Sequence, residues 1–107
     1  MVEENVKRFN QIIDSLLEDV KSRSSYEPEI AKNIRKAEIF LVEFAKSDIN
    51  PECINILHKA FNELSGAYYT VKWYQKEDVS HVIKVLRDKF KTAKELVSAL
   101  DSSTCST

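Results

Sequence analysis

The side chains best suited to chemistry in this sequence are two histidines and two cysteines, His58, His81, Cys53 and Cys105. The cysteines form no Cys-x-x-Cys pair, and their spacing from the histidines fits no zinc motif. The Glu-x-x-His pairs that hold di-iron centres inside helical bundles do not occur in the chain. We therefore expect no metal site, no cofactor and two reduced thiols in an intracellular protein.

The stretch 57–61 places His58 inside a helical segment and resembles the histidine region of phosphorelay histidine-phosphotransfer domains. Those domains are four-helix bundles in which a lysine and a small residue accompany an exposed histidine. Here Lys59 follows the histidine directly, and the glycine that usually comes soon after it is missing. The resemblance implies a phosphorelay role if His58 is exposed beside a cavity, whereas a surface histidine explains the same pattern.

The remaining patterns do not favour an enzyme. The chain has one glycine, Gly66, so glycine-rich nucleotide-binding loops are excluded. No local signature supports a nucleophile activated by a histidine and an acid. We expect His81 to be a solvated surface residue. The sequence thus predicts no catalytic residues.

Length and composition indicate one globular domain. The chain has 107 residues, of which 43% are hydrophobic and 31% charged, with a net charge of −1. A strongly basic nucleic-acid-binding protein is therefore not indicated. No apolar run is long enough to span a membrane. The acidic N-terminus, residues 1–5, lacks the apolar region of a signal peptide, which predicts a cytoplasmic protein.

Four segments carry apolar residues at alternating steps of three and four, the pattern of amphipathic helices. The segments cover about residues 2–23, 28–46, 51–75 and 79–100. Ile12 and Leu17 flank the row of the first segment and widen it, which suits a bundle in which every helix touches two neighbours. The four rows are Val2, Val6, Phe9, Ile13, Leu16 and Val20; Ile30, Ile34, Ala37, Leu41 and Phe44; Cys53, Leu57, Ala60, Leu64, Ala67, Val71 and Tyr74; and Val79, Ile83, Leu86, Phe90, Ala93, Val97 and Leu100.

Short connections between these helices predict an all-α, antiparallel up-down-up-down four-helix bundle over residues 1–100. The best-marked boundary is Asn50-Pro51, where Asn50 can cap a helix that begins at Pro51. The weakest is the polar stretch 75–78, without which the third and fourth helices would fuse into one rod and form a swapped dimer. The polar tail 101–107 is expected to be disordered.

One predicted surface lies on the outer side of the third helix. Tyr69 and Trp73 are four residues apart and face away from the apolar row, bordered by Lys72 and Lys76. Tryptophan and tyrosine anchor many protein interfaces, so these four residues predict a partner-binding site. If the helix is rotated, or covered by residues 22–27, Trp73 is an ordinary core residue instead.

Two apolar residues of the second helix, Ile39 and Val42, also point away from its row. They either extend the same interface or pack under a loop. The sequence thus favours a non-enzymatic protein-interaction module, a small adaptor, regulator or assembly subunit. Its partner would be another protein, or a second copy in a homodimer.

A second surface is the basic face of the fourth helix. Lys84, Arg87, Lys91 and Lys94 are spaced three, four and three residues apart and share one side of the helix. Such a row is typical of a solvated flank paired with acids of a neighbouring helix. The alternative is a surface for an acidic partner or, less readily at this net charge, for the phosphates of a nucleic acid.

Overall fold

The computed structural model describes residues 1–22, 27–73 and 79–107, which are mostly helical and contain no strand. The all-α prediction is therefore confirmed. Four long helices are followed by a short one. They are α1 (Val2–Ser22), α2 (Glu27–Ala45), α3 (Pro51–Trp73), α4 (Val79–Ser98) and α5 (Ser102–Cys105).

The long helices form a closed ring in which each packs against two others. α1 contacts α2 and α4, and α3 contacts the same two helices. The relative direction of α1 and α4 follows from two side-chain contacts. Asp14 of α1 contacts Lys94 of α4, and Asn10, one turn earlier in α1, contacts Ser98, one turn later in α4. α1 and α4 are thus antiparallel, as the up-down-up-down prediction requires.

α3 and α4 lie side by side and antiparallel, with Glu63 near Lys89 at 3.9 Å. The two helices are therefore not fused end to end into one rod. Such a fusion was the arrangement that the swapped-dimer alternative required. The polar stretch 75–78 itself lies outside the described residues, as does most of the stretch 22–27 that was considered as a cover for Trp73.

The predicted apolar rows form the core. Residues with no measurable exposure come from all four long helices, including Phe9, Ile34, Leu64 and Phe90. Burial of each large apolar side chain contributes about 1.5–3 kcal/mol. Val2 and Val6 in α1 and Ile83 in α4 are only half-buried. Among the residues whose burial is described, every other member of the predicted rows is buried, so the three- and four-residue spacing located most of the core.

Asn50 caps α3 as predicted and has a second role. Its side-chain oxygen accepts a hydrogen bond from the backbone N–H of Cys53 at 3.0 Å. Its side-chain nitrogen donates to the carbonyl of Thr104 at 2.6 Å, and its backbone N–H donates to the carbonyl of Cys105 at 3.0 Å. The start of α3 and the C-terminal segment are thus held by one residue.

The C-terminal segment corrects the expectation of a disordered tail over 101–107. Asp101 caps α5 by accepting a hydrogen bond from the backbone N–H of Thr104 at 2.8 Å. Ser102 donates from its backbone N–H, at 2.7 Å, and from its hydroxyl to the Glu3 carboxylate of α1. Helix capping and contact with two other helices order a stretch that composition alone describes as polar.

The expectation of reduced thiols is also wrong. Cys53 and Cys105 form a disulfide, with their Cα atoms 5.6 Å apart. Cys105 is fully buried and joins α5 to the first turn of α3. The cytoplasmic location remains a prediction, but the structure does not support a reducing environment. In the described ranges, no helix has the length and hydropathy to cross a bilayer.

Candidate protein-interaction surface

Exposed large apolar side chains are concentrated on one side of the bundle. Among the residues that the structure describes, α1 and α4 expose none, and Met1 is the one outside α2 and α3. α2 contributes Ile39 and Val42, which are 62% and 42% exposed. α3 contributes Ile54, Tyr69 and Trp73, which are 37%, 53% and 78% exposed. We refer to these five residues of α2 and α3 as the apolar face.

Three rings form an aromatic cluster at one end of the apolar face: Tyr68, Tyr69 and Trp73. The ring centroids of Tyr69 and Trp73 are 6.2 Å apart and those of Tyr69 and Tyr68 are 5.5 Å apart, with each pair of ring planes close to perpendicular. Edge-to-face contacts of this kind stabilise the pair by about 0.5–1.5 kcal/mol. Because Trp73 is 78% exposed it lies outside the core, and its ring contacts Tyr69. Lys72 beside it is exposed, while Lys76 lies outside the described residues.

Arg35 of α2 supports the aromatic cluster from the side. Its guanidinium carbon lies 3.5 Å from the ring centre of Tyr68 and 5.9 Å from that of Tyr69. A guanidinium over a tyrosine face is attracted by the ring electrons. Partial burial tends to lower the pKa of Arg35, but its hydrogen bond to Glu38 and contacts with both tyrosines outweigh this effect, and the pKa is raised. The charge on Arg35 is thus retained.

Glu38 fixes the position of Arg35. Its side chain is almost fully buried between α2 and α3 and accepts hydrogen bonds from Arg35 at 2.8 Å and from the Ser65 hydroxyl at 2.7 Å. A buried carboxylate is tolerated when it is paired and hydrogen-bonded in this way. A hydrogen-bonded network between α2 and α3 therefore supports the aromatic cluster in the unbound protein.

A groove occupies the other end of the apolar face, between the end of α2 and the start of α3. Its volume is about 370 Å³. Apolar side chains line most of it, among them Val42, Ala45, Ile54 and Phe61. The apolar face thus has a projecting aromatic end and a recessed aliphatic end.

His58 also lines this groove and is exposed. Exposure beside a cavity meets the first condition for the phosphorelay hypothesis. Apart from His58 itself, the residues that line the cavity are apolar except for Lys46. The same exposure fits a polar residue at the rim of an interface.

The basic face of α4 is only partly available. Lys84, Arg87 and Lys91 are exposed, whereas Lys94 forms an ion pair with Asp14 of α1 at 2.6 Å. Acidic residues also occur on the exposed side of α4, at Asp88 and Glu95. Pairing with an acid of a neighbouring helix, one of the two interpretations of this row, is thus observed for Lys94.

In the described ranges, no group of three or more side chains is arranged to hold a metal ion.

Comparison with known proteins identifies one full-length relative. The chain is 64% identical over 105 residues to "Uncharacterized protein ORF107a" of Acidianus bottle-shaped virus (isolate Italy/Pozzuoli), and the alignment covers 98% of both chains. This chain belongs to the ORF107a family. No protein-family model matches the sequence, and no solved structure matches it. The viral relative carries no described activity, so family membership assigns none.

Sequence reasoning missed the network behind the aromatic cluster of this ORF107a-family chain. Tyr69, Trp73, Ile39 and Val42 were singled out because they lie off the apolar rows. Glu38 carries a weaker signal, a carboxylate next to the core residue Ala37 with Arg35 three positions earlier. Ser65, its partner on α3, could be found only from the packing of the two helices.

Proposed function

We propose that this chain is a non-enzymatic protein-interaction module that binds its partner through the apolar face of α2 and α3. The observation that supports it best is the one-sided distribution of exposed apolar side chains. Contiguous exposed apolar patches are uncommon on monomeric proteins and mark binding surfaces. Here Val42 and Ile54 line one groove between the two helices, and Tyr69 contacts Trp73, the most exposed of the five residues, at the other end of the face.

The residue types on this face support the same proposal. Tryptophan, tyrosine and arginine are the residues that most often dominate the energy of an interface. Trp73, Tyr69 and Arg35 occur together, and the Glu38 network holds them in place. A surface whose side chains are already ordered loses less entropy when it binds. The proposal includes a cytoplasmic location for this binding. It does not include a reducing compartment, because Cys53 and Cys105 form a disulfide.

The proposal is tested with the double variant Tyr69→Ala/Trp73→Ala and a control, Arg87→Ala/Lys91→Ala, on the exposed side of α4. Self-association is measured by analytical ultracentrifugation, and binding of other proteins by affinity capture from the source cells. We expect the aromatic variant to lose binding while the control retains it. The control should unfold within about 0.5 kcal/mol of the unmodified chain, since surface substitutions cost little. The aromatic variant should lose about 1–3 kcal/mol, because it removes two edge-to-face contacts.

Two results would overturn the proposal. If Trp73→Ala alone lowers the free energy of unfolding by about 3–5 kcal/mol, the residue acts as core rather than as surface. If the aromatic variant binds every partner as well as the unmodified chain, the apolar face is not the working surface. The basic face of α4 stays a separate prediction. It would require nucleic-acid binding at low salt that weakens steeply as salt is added.

A further inference from the structure

We propose that the partner of the apolar face is a different protein, which lays an acidic amphipathic helix along the outer side of the α2–α3 contact. This inference rests on the proposed function and specifies the chemistry of its partner. It follows from an apolar strip that runs between the two helices and from the lysines at both ends of that strip.

Two rows of side chains, one from each helix, border this strip. Glu38 contacts Ser65 and Arg35 contacts Tyr68, so each step forward in α2 corresponds to a step back in α3. Helical steps of three and four residues continue each row along one side of its helix. We refer to the depression between the rows as the α2–α3 cleft. The α2 row runs from Lys32 through Ile39 to Lys46, and the α3 row runs from Ile54 through Phe61 to Lys72.

The middle of the α2–α3 cleft is apolar. Ile39 and Val42 are exposed, and Phe61 across from them is half-buried. The groove of about 370 Å³ extends from here toward the end of α2. The carboxylate of Glu38 adds no free charge, because it is buried and hydrogen-bonded between the two helices. Apolar side chains at helical spacing on a partner helix fit such a recess.

Lysines mark the end of the cleft beside the aromatic cluster. The register places Lys32 level with Val71, and therefore next to Lys72 on the neighbouring helix. Both lysines are exposed, and neither forms an ion pair with an acid that the structure describes. Arg35 adds no further net charge, because Glu38 pairs with it. Two such lysines complement carboxylates on a partner.

A third lysine, Lys46, lies at the other end together with His58, and both side chains line the groove. Glu43 is 3.4 Å from Lys46, but the two are about two-thirds exposed, so their pair is weak. Glu43 also lies on the α1 side of α2, three residues after Phe40, whose ring stacks on Phe9 of α1. A carboxylate that enters from the α2–α3 cleft therefore reaches Lys46 and His58 without passing Glu43.

The spacing of the lysines defines the partner helix. Lys46 follows Lys32 by fourteen positions, or about 21 Å at 1.5 Å per residue. The matching helix has about four turns, with apolar residues in its middle and a carboxylate near each end. A second copy of this chain does not meet this requirement, because antiparallel packing would place Lys32 against Lys46.

Two synthetic peptides test the proposal. Both are helices of about 18 residues with the same row of leucines, and one carries glutamates at both ends where the other carries lysines. Fluorescence anisotropy measures their binding to the unmodified chain at low salt. We expect the glutamate peptide to bind at least about 10-fold more tightly than the lysine peptide, and its binding to weaken as salt is added. Equal binding of the two peptides, or no binding of the glutamate peptide, would overturn the inference.

Charge reversal locates the binding site. Lys32→Glu/Lys72→Glu should weaken binding of the glutamate peptide about 10-fold and strengthen that of the lysine peptide. The matched control, Lys84→Glu/Lys91→Glu, makes the same change in net charge at exposed positions of α4. It should leave the preference for the glutamate peptide in place. Equal losses in the two variants would show that net charge alone attracts the peptide, which contradicts a site in the α2–α3 cleft.

Removal of the acid beside Lys46 should change the affinity in the opposite direction. Glu43→Gln is expected to strengthen binding of the glutamate peptide about 2-fold, because the carboxylate that competes for Lys46 is gone. Unchanged or weaker binding would show that the peptide does not reach Lys46, and the proposed placement would be wrong.

The outcomes separate this inference from the proposed function. Vesicles of phosphatidylcholine and phosphatidylglycerol are the second probe, since lysines beside apolar side chains also suit an anionic membrane surface. Binding to these vesicles without binding to the glutamate peptide would overturn both proposals. Binding of another protein that needs Tyr69 and Trp73, but is unchanged in Lys32→Glu/Lys72→Glu, would overturn the acidic helix and leave the interaction surface intact.

Discussion

The guanidinium carbon of Arg35 lies 3.5 Å from the ring centre of Tyr68, and the same guanidinium donates a hydrogen bond to the buried carboxylate of Glu38. One side chain therefore joins the interior of the α2–α3 contact to the aromatic cluster on its surface. Arg35 is 44% exposed, so solvent weakens but does not abolish these interactions.

We expect Arg35→Ala to lower the free energy of unfolding by about 1–3 kcal/mol, because Glu38 loses its charged partner while it stays buried. Urea denaturation followed by circular dichroism measures the effect. Lys46→Ala is the control, since its pair with Glu43 is exposed on both sides and should contribute under about 0.5 kcal/mol. Equal effects of the two substitutions would show that the Glu38 network does not stabilise the bundle.

The parts of the fold that were predictable are those that local sequence determines. Three- and four-residue spacing locates a buried stripe on one helix without reference to the others, and residues such as Ile34 and Phe90 are buried accordingly. The cap at Asn50 depends on positions within one turn, and it is observed as expected.

The parts that were missed depend on residues far apart in the chain. Cys53 and Cys105 are separated by 52 positions, and their spacing alone does not indicate that they pair. Burial of Glu38 likewise depends on Ser65 of another helix. The exposure of Tyr69 and Trp73 could be anticipated from helical phase, but the alternative of a rotated helix could be rejected only from the structure.

We expect removal of the disulfide to lower the free energy of unfolding by about 2–4 kcal/mol, because the bond closes a long loop in the unfolded chain. The double variant Cys53→Ser/Cys105→Ser is compared with the unmodified chain by thermal denaturation, each with and without a reductant. The reductant should destabilise only the unmodified chain. No difference between the two proteins under oxidising conditions would show that the disulfide contributes no stability.

Attachment of α5 should weaken in acid. The hydroxyl and backbone N–H of Ser102 hold the pKa of Glu3 below its ordinary value of 4.5. The backbone N–H of Thr104 and neighbouring hydroxyls hold that of Asp101 below 3.8. Both pKa values are lower in the folded state, so their stabilising effect is present above the ordinary values and is lost as pH falls through the folded ones.

Amide chemical shifts of Ser102 and Thr104, and their protection from hydrogen exchange relative to the intrinsic rate at each pH, report this loss as the pH falls below about 4.5. We expect protection in α5 to decrease there, while that of core amides of α3 is unchanged. Asp101→Asn keeps a capping oxygen without a titrating carboxyl, so its protection should depend less on pH. If protection in α5 is the same at pH 6 and in acid, the two carboxylates do not hold the segment in place.

Gly66 lies within α3, and its replacement by alanine tests how closely Lys89 of α4 packs against it. A Cβ atom there would lie 3.0 Å from Cε and 3.1 Å from Nζ of Lys89, which are the mobile end of a long side chain rather than backbone. Alanine is favoured over glycine inside a helix by about 1 kcal/mol. We therefore expect Gly66→Ala to raise the free energy of unfolding by about 0.5–1 kcal/mol. The free-energy cost of displacing the Lys89 side chain reduces this gain.

The double variant Gly66→Ala/Lys89→Ala separates the two contributions. The Lys89 pair with Glu63 is long, at 3.9 Å, and should contribute little by itself. Gly66→Ala should consequently stabilise the bundle more in the Lys89→Ala background than in the unmodified chain, as measured by urea denaturation. A loss of stability in both backgrounds would mean that α3 and α4 approach too closely at Gly66 for any side chain, and that the glycine is required by backbone packing.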